Sequence, residues 1–149
     1  MSDRYLEDYP VGLTEEFGPV QVDEAEIVAF GRQYDPQPFH VDPQAAADGP
    51  YGGLIASGWQ TCALMMRLLA QDYLSAASSL GSPGVDELRW RRPVRPGQPL
   101  RLRTTVVEAR RSASKPDRGI VRTAIELVDG DGQQVLTMTA LNLVLARPA

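Results

Sequence analysis

Residues 58–80 read GWQTCALMMRLLAQDYLSAASSL and are apolar nearly all round, with only Arg67, Gln71 and Ser75 forming a narrow polar stripe at four-residue spacing. A helix of that composition has to be wrapped by other structure. Ser57 and Gln60 have capping-box spacing at its start, so the helix is expected over about 58–80. Downstream the period changes to two. Leu100, Leu102, Thr104 and Val106 alternate with Arg101, Arg103, Thr105 and Val107, and GIVRTAIELV and QVLTMTALNLVLA follow, joined by Asp129-Gly130-Asp131-Gly132. ELRWRRPV supplies a further strand before them, and ARRSASKPDRG reads as a longer, mobile hairpin loop. One long buried helix followed by an antiparallel meander of four or five strands predicts an α+β fold in which the sheet curls round the helix.

Upstream, residues 14–22 read as a strand. In VDEAEIVAF a helix begins with Asp23 as N-cap, Glu26 placed to reach back, and Val22 facing Ile27 as a hydrophobic staple. It should end near Tyr34, because Asp35 precedes a proline and is pushed toward extended geometry. A second short helix starts at Asp42 with Pro43 in the favoured first position. His40, the one histidine of the chain, is thereby placed on a short loop between two helices. With no repeats, low-complexity segments or linkers, residues 1–149 are expected to form a single domain.

A hydrophobic content of 43% suffices for a sizeable core. The first residues, MSDRYLEDYP, are acidic where a signal peptide would be basic and then apolar, and no apolar run reaches membrane-spanning length. A soluble, cytoplasmic protein with no membrane partner is expected. Cys62 has no second cysteine to pair with, and no companion ligands suggest a metal site. The net charge of −4 is uneven: 3 basic and 12 acidic residues precede Val85, whereas 12 and 7 follow from there on, giving −9 and +5. The basic part either meets phosphates, of nucleic acid or of a phosphorylated cofactor, or supplies the solvated alternate positions of strands, and the partner expected for the whole chain is not nucleic acid.

Asp35 and His40 stand five residues apart in DPQPFHVD, residues 35–42. Pro36 and Pro38 fix two φ angles, so the segment is stiff before any ligand arrives. A carboxylate and an imidazole held this way suit general acid and base chemistry near neutral pH. The plainer reading makes Asp35 a turn residue and His40 a polar side chain satisfied by backbone. In PYGGLIASG, residues 50–58, Gly52 and Gly53 permit a tight turn, and Ser57-Gly58 opens the long helix, whose first N–H groups lack intrahelical acceptors.

DPQPFHVD, the PYGGLIASG turn before the long helix, and SPGVDELRWRRPVRPGQPL, residues 82–100, resemble the MaoC-like dehydratases and (R)-specific enoyl-CoA hydratases, and the layout looks like a hotdog fold. The resemblance covers nearly the whole chain. It implies a reversible addition of water across the 2,3 double bond of an acyl-CoA thioester. Asp35 and His40 would activate the water, and the Gly58 amide would polarise the thioester carbonyl. Ser57, Gly53, Phe39, Tyr51, Trp59, Arg89 and Arg91 are expected to contact the substrate, the arginines through coenzyme A phosphates. Arg92 and Arg95 extend that basic cluster. No bound cofactor or metal is implied, since coenzyme A comes with the substrate, and a homodimer or higher homo-oligomer is expected.

The chain departs from the family pattern at four places. Gln37 replaces Asn, Phe39 a small aliphatic, Ser57 the His before the glycine, and Met66 a polar residue eight past the glycine. Two other readings share the fold: a hotdog thioesterase, which would carry its acid on the long helix, where only Asp72 is present, and a non-catalytic acyl-thioester-binding subunit.

Overall fold

The computed structural model describes residues 2–149. Five strands, β1 (Thr14–Val20), β2 (Gly84–Trp90), β3 (Leu100–Arg111), β4 (Arg118–Val128) and β5 (Gln134–Leu145), form one antiparallel sheet in the order β1-β3-β4-β5-β2. Four helices, α1 (Glu24–Tyr34), α2 (Pro38–Val41), α3 (Pro43–Ala47) and α4 (Gly58–Leu68), lie between β1 and β2 in the chain. This is the expected α+β layout.

The period-two pattern determines the sheet's inner face. Leu100, Leu102, Thr104 and Val106 are buried, as are Val121, Ile125 and Leu127 on β4 and Leu136, Met138 and Ala140 on β5. Against them pack Leu64, Met65 and Leu68 of α4, with Leu69 and Tyr73 just beyond it, in one continuous apolar core. The intervening arginines stand on the outer face and meet carboxylates across strands. Arg103 reaches Glu16 at 3.1 Å and Glu126 at 2.9 Å, while Arg122 reaches Glu108 at 3.3 Å and Asp86 at 3.0 Å.

The start of α1 is as the sequence dictates. Asp23 accepts the Glu26 N–H, Glu26 reaches back to the Asp23 N–H, and Val22 and Ile27 are fully buried. Asp42 likewise caps α3, accepting the Gln44 and Ala45 N–H groups. Three expectations change. The segment holding His40 is not a loop but a helical turn, α2, because Pro38 supplies a helical φ at its first position and the His40 N–H and Asp42 N–H bond back to Gln37 and Pro38. The long helix does not run to Leu80. It passes into a π-helical turn at Leu69–Tyr73 and ends there with Leu74 extended. Tyr73 is drawn into the core, where its hydroxyl meets Thr123 Oγ1 at 2.8 Å and its carbonyl accepts the Tyr9 hydroxyl at 2.6 Å. These tertiary bonds outweigh the helix propensity of the alanines that follow. The hairpin loop between β3 and β4 is also shorter than expected, since β3 continues to Arg111.

Candidate active site

The carboxyl end of α1, the turn α2 and the start of α4 meet around a cavity of about 400 Å³. Asp35 is the C-cap of α1, outside the helical region at φ −152° and ψ 70°, and the chain leads through Pro36-Gln37-Pro38 into α2. α2 lies directly on α1 because Gly31 has no side chain. A Cβ there would stand 2.9 Å from Val41 Cγ1 and 3.0 Å from His40 Cβ. The close contact brings the two side chains together, with His40 Nε2 3.2 Å from Asp35 Oδ2.

His40 is 4% exposed, and its Nδ1 lies 2.7 Å from the carbonyl oxygen of Ile55. A carbonyl only accepts, so Nδ1 carries a proton and Nε2 is the nitrogen free to exchange one. A hydrogen bond along the Nε2–Oδ2 line then requires one proton shared by the pair. Asp35 receives two further bonds, from Gln37 Nε2 to Oδ1 at 2.7 Å and from the Ser57 hydroxyl to Oδ2 at 2.7 Å. Burial alone would raise the Asp35 carboxyl. The bonds from Gln37 and Ser57 and the charge of a protonated His40 outweigh it, so the pKa lies below the ordinary aspartate value.

Across the cavity, Ser57 caps α4 by accepting the Trp59 N–H at 3.3 Å. Gln60 does not complete the capping box; its side-chain amide donates instead to the Glu26 carbonyl, tying α4 to α1. The Gly58 N–H finds no acceptor among the described residues and belongs to the cavity wall. Trp90 lies over Gly58. Its indole N–H donates to the Gly58 carbonyl at 2.9 Å, and a Cβ on residue 58 would come within 2.5 Å of the ring. A helix start with an unfilled N–H, facing an acid–imidazole pair, can hold a polarised carbonyl on one side and a water on the other.

Of the residues expected at the site, Asp35, His40, Gly58, Phe39, Tyr51, Trp59 and Arg91 line this one cavity. Ser57 is 1% exposed and spends its hydroxyl on Asp35. Gly53 stands behind the wall, its carbonyl accepting from Arg95, which also bonds the Tyr51 carbonyl and so straps the glycine turn. Arg89 points away, bonded to the Leu88 carbonyl and Glu87. Met66 is 45% exposed on the outer side of α4 and plays no part in supporting the carboxylate. Sequence reasoning missed Trp90 and Thr61, which also line the cavity. The glycine at 58, which leaves room for a flat ring, was the only signal for Trp90.

Fold and site together define a helix-on-sheet protein with an acid–imidazole pair facing a helix N-terminus. Residues 10–127 match the MaoC like domain, and the chain belongs to that family. It is 40% identical to a MaoC-like dehydratase from Rhodospirillum rubrum whose crystal structure superposes with a TM-score of 0.88, covering 98% of this chain and 99% of that one. Over 94 residues, 62% of each chain, it is 34% identical to 3-hydroxyacyl-thioester dehydratase Z of Mycobacterium tuberculosis. A M. tuberculosis protein with a double hotdog fold superposes at a TM-score of 0.79 with 21% identity, over 98% of this chain and 45% of its own length. The fold is a hotdog fold. Among the described residues no helix is long and apolar enough to cross a membrane.

Proposed function

We propose that the protein is a hydro-lyase that adds water reversibly across the 2,3 double bond of an enoyl thioester, with coenzyme A as the acyl carrier. The observation that carries this reading is the Asp35–His40 pair, 3.2 Å apart, set in the same cavity wall as the open Gly58 N–H. Asp35 takes a proton from the bound water as its oxygen attacks the β-carbon. The electron pair displaced from the double bond moves onto the thioester oxygen, where the Gly58 N–H and the helix start stabilise it. A proton from His40 Nε2 goes to the α-carbon. Exchange with cavity water then returns the proton gained by Asp35 to His40 Nε2, and the pair is restored.

Similarity to the R. rubrum dehydratase over nearly the whole chain and to a 3-hydroxyacyl-thioester dehydratase supports this chemistry. Arg91 and Arg92 support coenzyme A, since both line the cavity and, with Gln133 and Gln134, an adjoining cleft. Neither has a carboxylate partner among the described residues, and Arg91 Nε donates to Thr137 Oγ1. Asp72, the acid a thioesterase would need, sits in the π-helical turn and does not line the cavity.

The reading includes a second copy of the chain, paired beside the cavity mouth. Trp59, Met66, Val85 and Trp90 are 59%, 45%, 49% and 44% exposed beside the β2 edge, which among the described residues pairs with β5 alone. A twofold pairing would bury them and close the outer wall of the cavity. Light scattering at micromolar concentration should give a dimer, and a stable monomer would remove this part.

The deciding experiment is incubation with crotonyl-CoA. Loss of the conjugated-thioester absorbance without release of free thiol is the expected result. Thiol release would indicate a thioesterase, and binding without either change a non-catalytic subunit.

A further inference from the structure

We propose that Ser57 and Gln37 are positioning residues that fix the two oxygens of the Asp35 carboxylate through neutral hydrogen bonds. Both stand where this chain departs from the family pattern, and each departure places a donor on a different oxygen. The directions of the bonds follow from chemistry. The Ser57 hydroxyl has a single proton and already accepts the Trp59 N–H, so its proton goes to Asp35 Oδ2 at 2.7 Å. The Gln37 amide nitrogen only donates, and it meets Oδ1 at 2.7 Å. Gln37 lies between Pro36 and Pro38, so its backbone is stiff even though the residue is exposed.

Two neutral donors hold the carboxylate without supplying a proton, a task left to His40. Each carboxylate oxygen accepts about two hydrogen bonds. Oδ2 takes Ser57 and His40, whereas Oδ1 takes Gln37 alone among the described residues and keeps room for a water. Ser57 is also the N-cap of α4, and the next residue, Gly58, presents the open N–H. One side chain thus sets the spacing between the proposed base and the proposed oxyanion donor. The titratable or charged groups around Asp35 are His40 in contact, Arg32 in the last turn of α1, and Tyr51, Arg91 and Arg92 on the cavity wall.

Gln37→Leu and Ser57→Ala each remove one donor. Because both donors favour the ionised carboxylate, loss of either raises the pH at which Asp35 takes up a proton. The chain has a single histidine, so the His40 ring resonances report this acid-side step in an NMR titration without substrate. The step should move to higher pH in each variant and further in the double variant. The acidic limb of kcat/KM should move with it, and the plateau at neutral pH should fall less. An unmoved step in the folded Gln37→Leu protein, whose exposed side chain is not needed for folding, overturns the role of Gln37. An unmoved step in folded Ser57→Ala, or in Ser57→Cys if the alanine variant does not fold, overturns that of Ser57. The kinetic arm rests on the hydratase reading. If the native protein shows no hydration, that reading fails while the NMR titration still decides the positioning.

Discussion

Glu126 on the outer face of the sheet and Asp35 at the cavity are both held by hydrogen bonds, but their partners differ in kind. Glu126 shares Arg103 with Glu16, and Arg122 takes Glu108 and Asp86 in the same way. A guanidinium stays charged at any working pH, so these carboxylates are fixed spectators. Asp35 meets no arginine among the described residues. It is held by a hydroxyl and an amide, which never titrate, and by an imidazole, which can pass a proton through its ring nitrogen. The same side-chain chemistry is thus structural on one face and poised for proton transfer at the other, and the nature of the donors makes the difference.

Changing Asp35 should break the contrast most severely. Asp35→Asn keeps the shape and removes the base, so kcat for hydration should fall by about 10²- to 10⁴-fold with the fold intact. In the native enzyme activity should persist on the acid side until the pH falls to the lowered pKa of Asp35, below the usual aspartate range, and then be lost as the carboxylate is protonated.

Gly58→Ala should have the next largest effect. It leaves the N–H in place but sets a methyl group within 2.5 Å of the Trp90 ring, which must leave its seat and its bond to the Gly58 carbonyl. A misplacement of this kind is expected to lower kcat/KM by on the order of tenfold to a hundredfold. The partly exposed indole can swing outward, so thermal unfolding should change far less than activity. At the small end, Arg103→Ala removes a half-exposed cation from the sheet face. It should cost at most about 1 kcal/mol in denaturant unfolding and leave turnover unchanged.

Local signals carried most of the layout. The capping box at Asp23, Pro43 after Asp42, and the alternation from Leu100 to Val107 each specify an element by short-range chemistry, and each element is present. The end of the long helix was hidden, because the residues that stop it, Thr123 and Tyr9, are 50 and 64 positions from Tyr73. The same holds at the site. Two prolines and the five-residue spacing pointed to Asp35 and His40, and the expected nearness of the pair follows from α1 and α2 packing at Gly31. The link from Ser57 to Asp35 spans 22 residues and had no local mark. Trp90, 32 residues from Gly58, was equally out of reach.

The central claim is that His40 and Asp35 act as one proton-transfer unit, and it is tested most directly by the hydration rate of His40→Gln set beside Asp35→Asn and the double variant. Glutamine keeps a polar group but holds no titrating proton. With folding verified by circular dichroism, His40→Gln should lose about 10²- to 10⁴-fold in kcat. The double variant should lose little more than either single one, since residues acting as a unit are not additive. A folded His40→Gln protein that hydrates the best substrate at near the native rate would contradict the account and leave the histidine a structural tie between α2 and the Ile55 carbonyl.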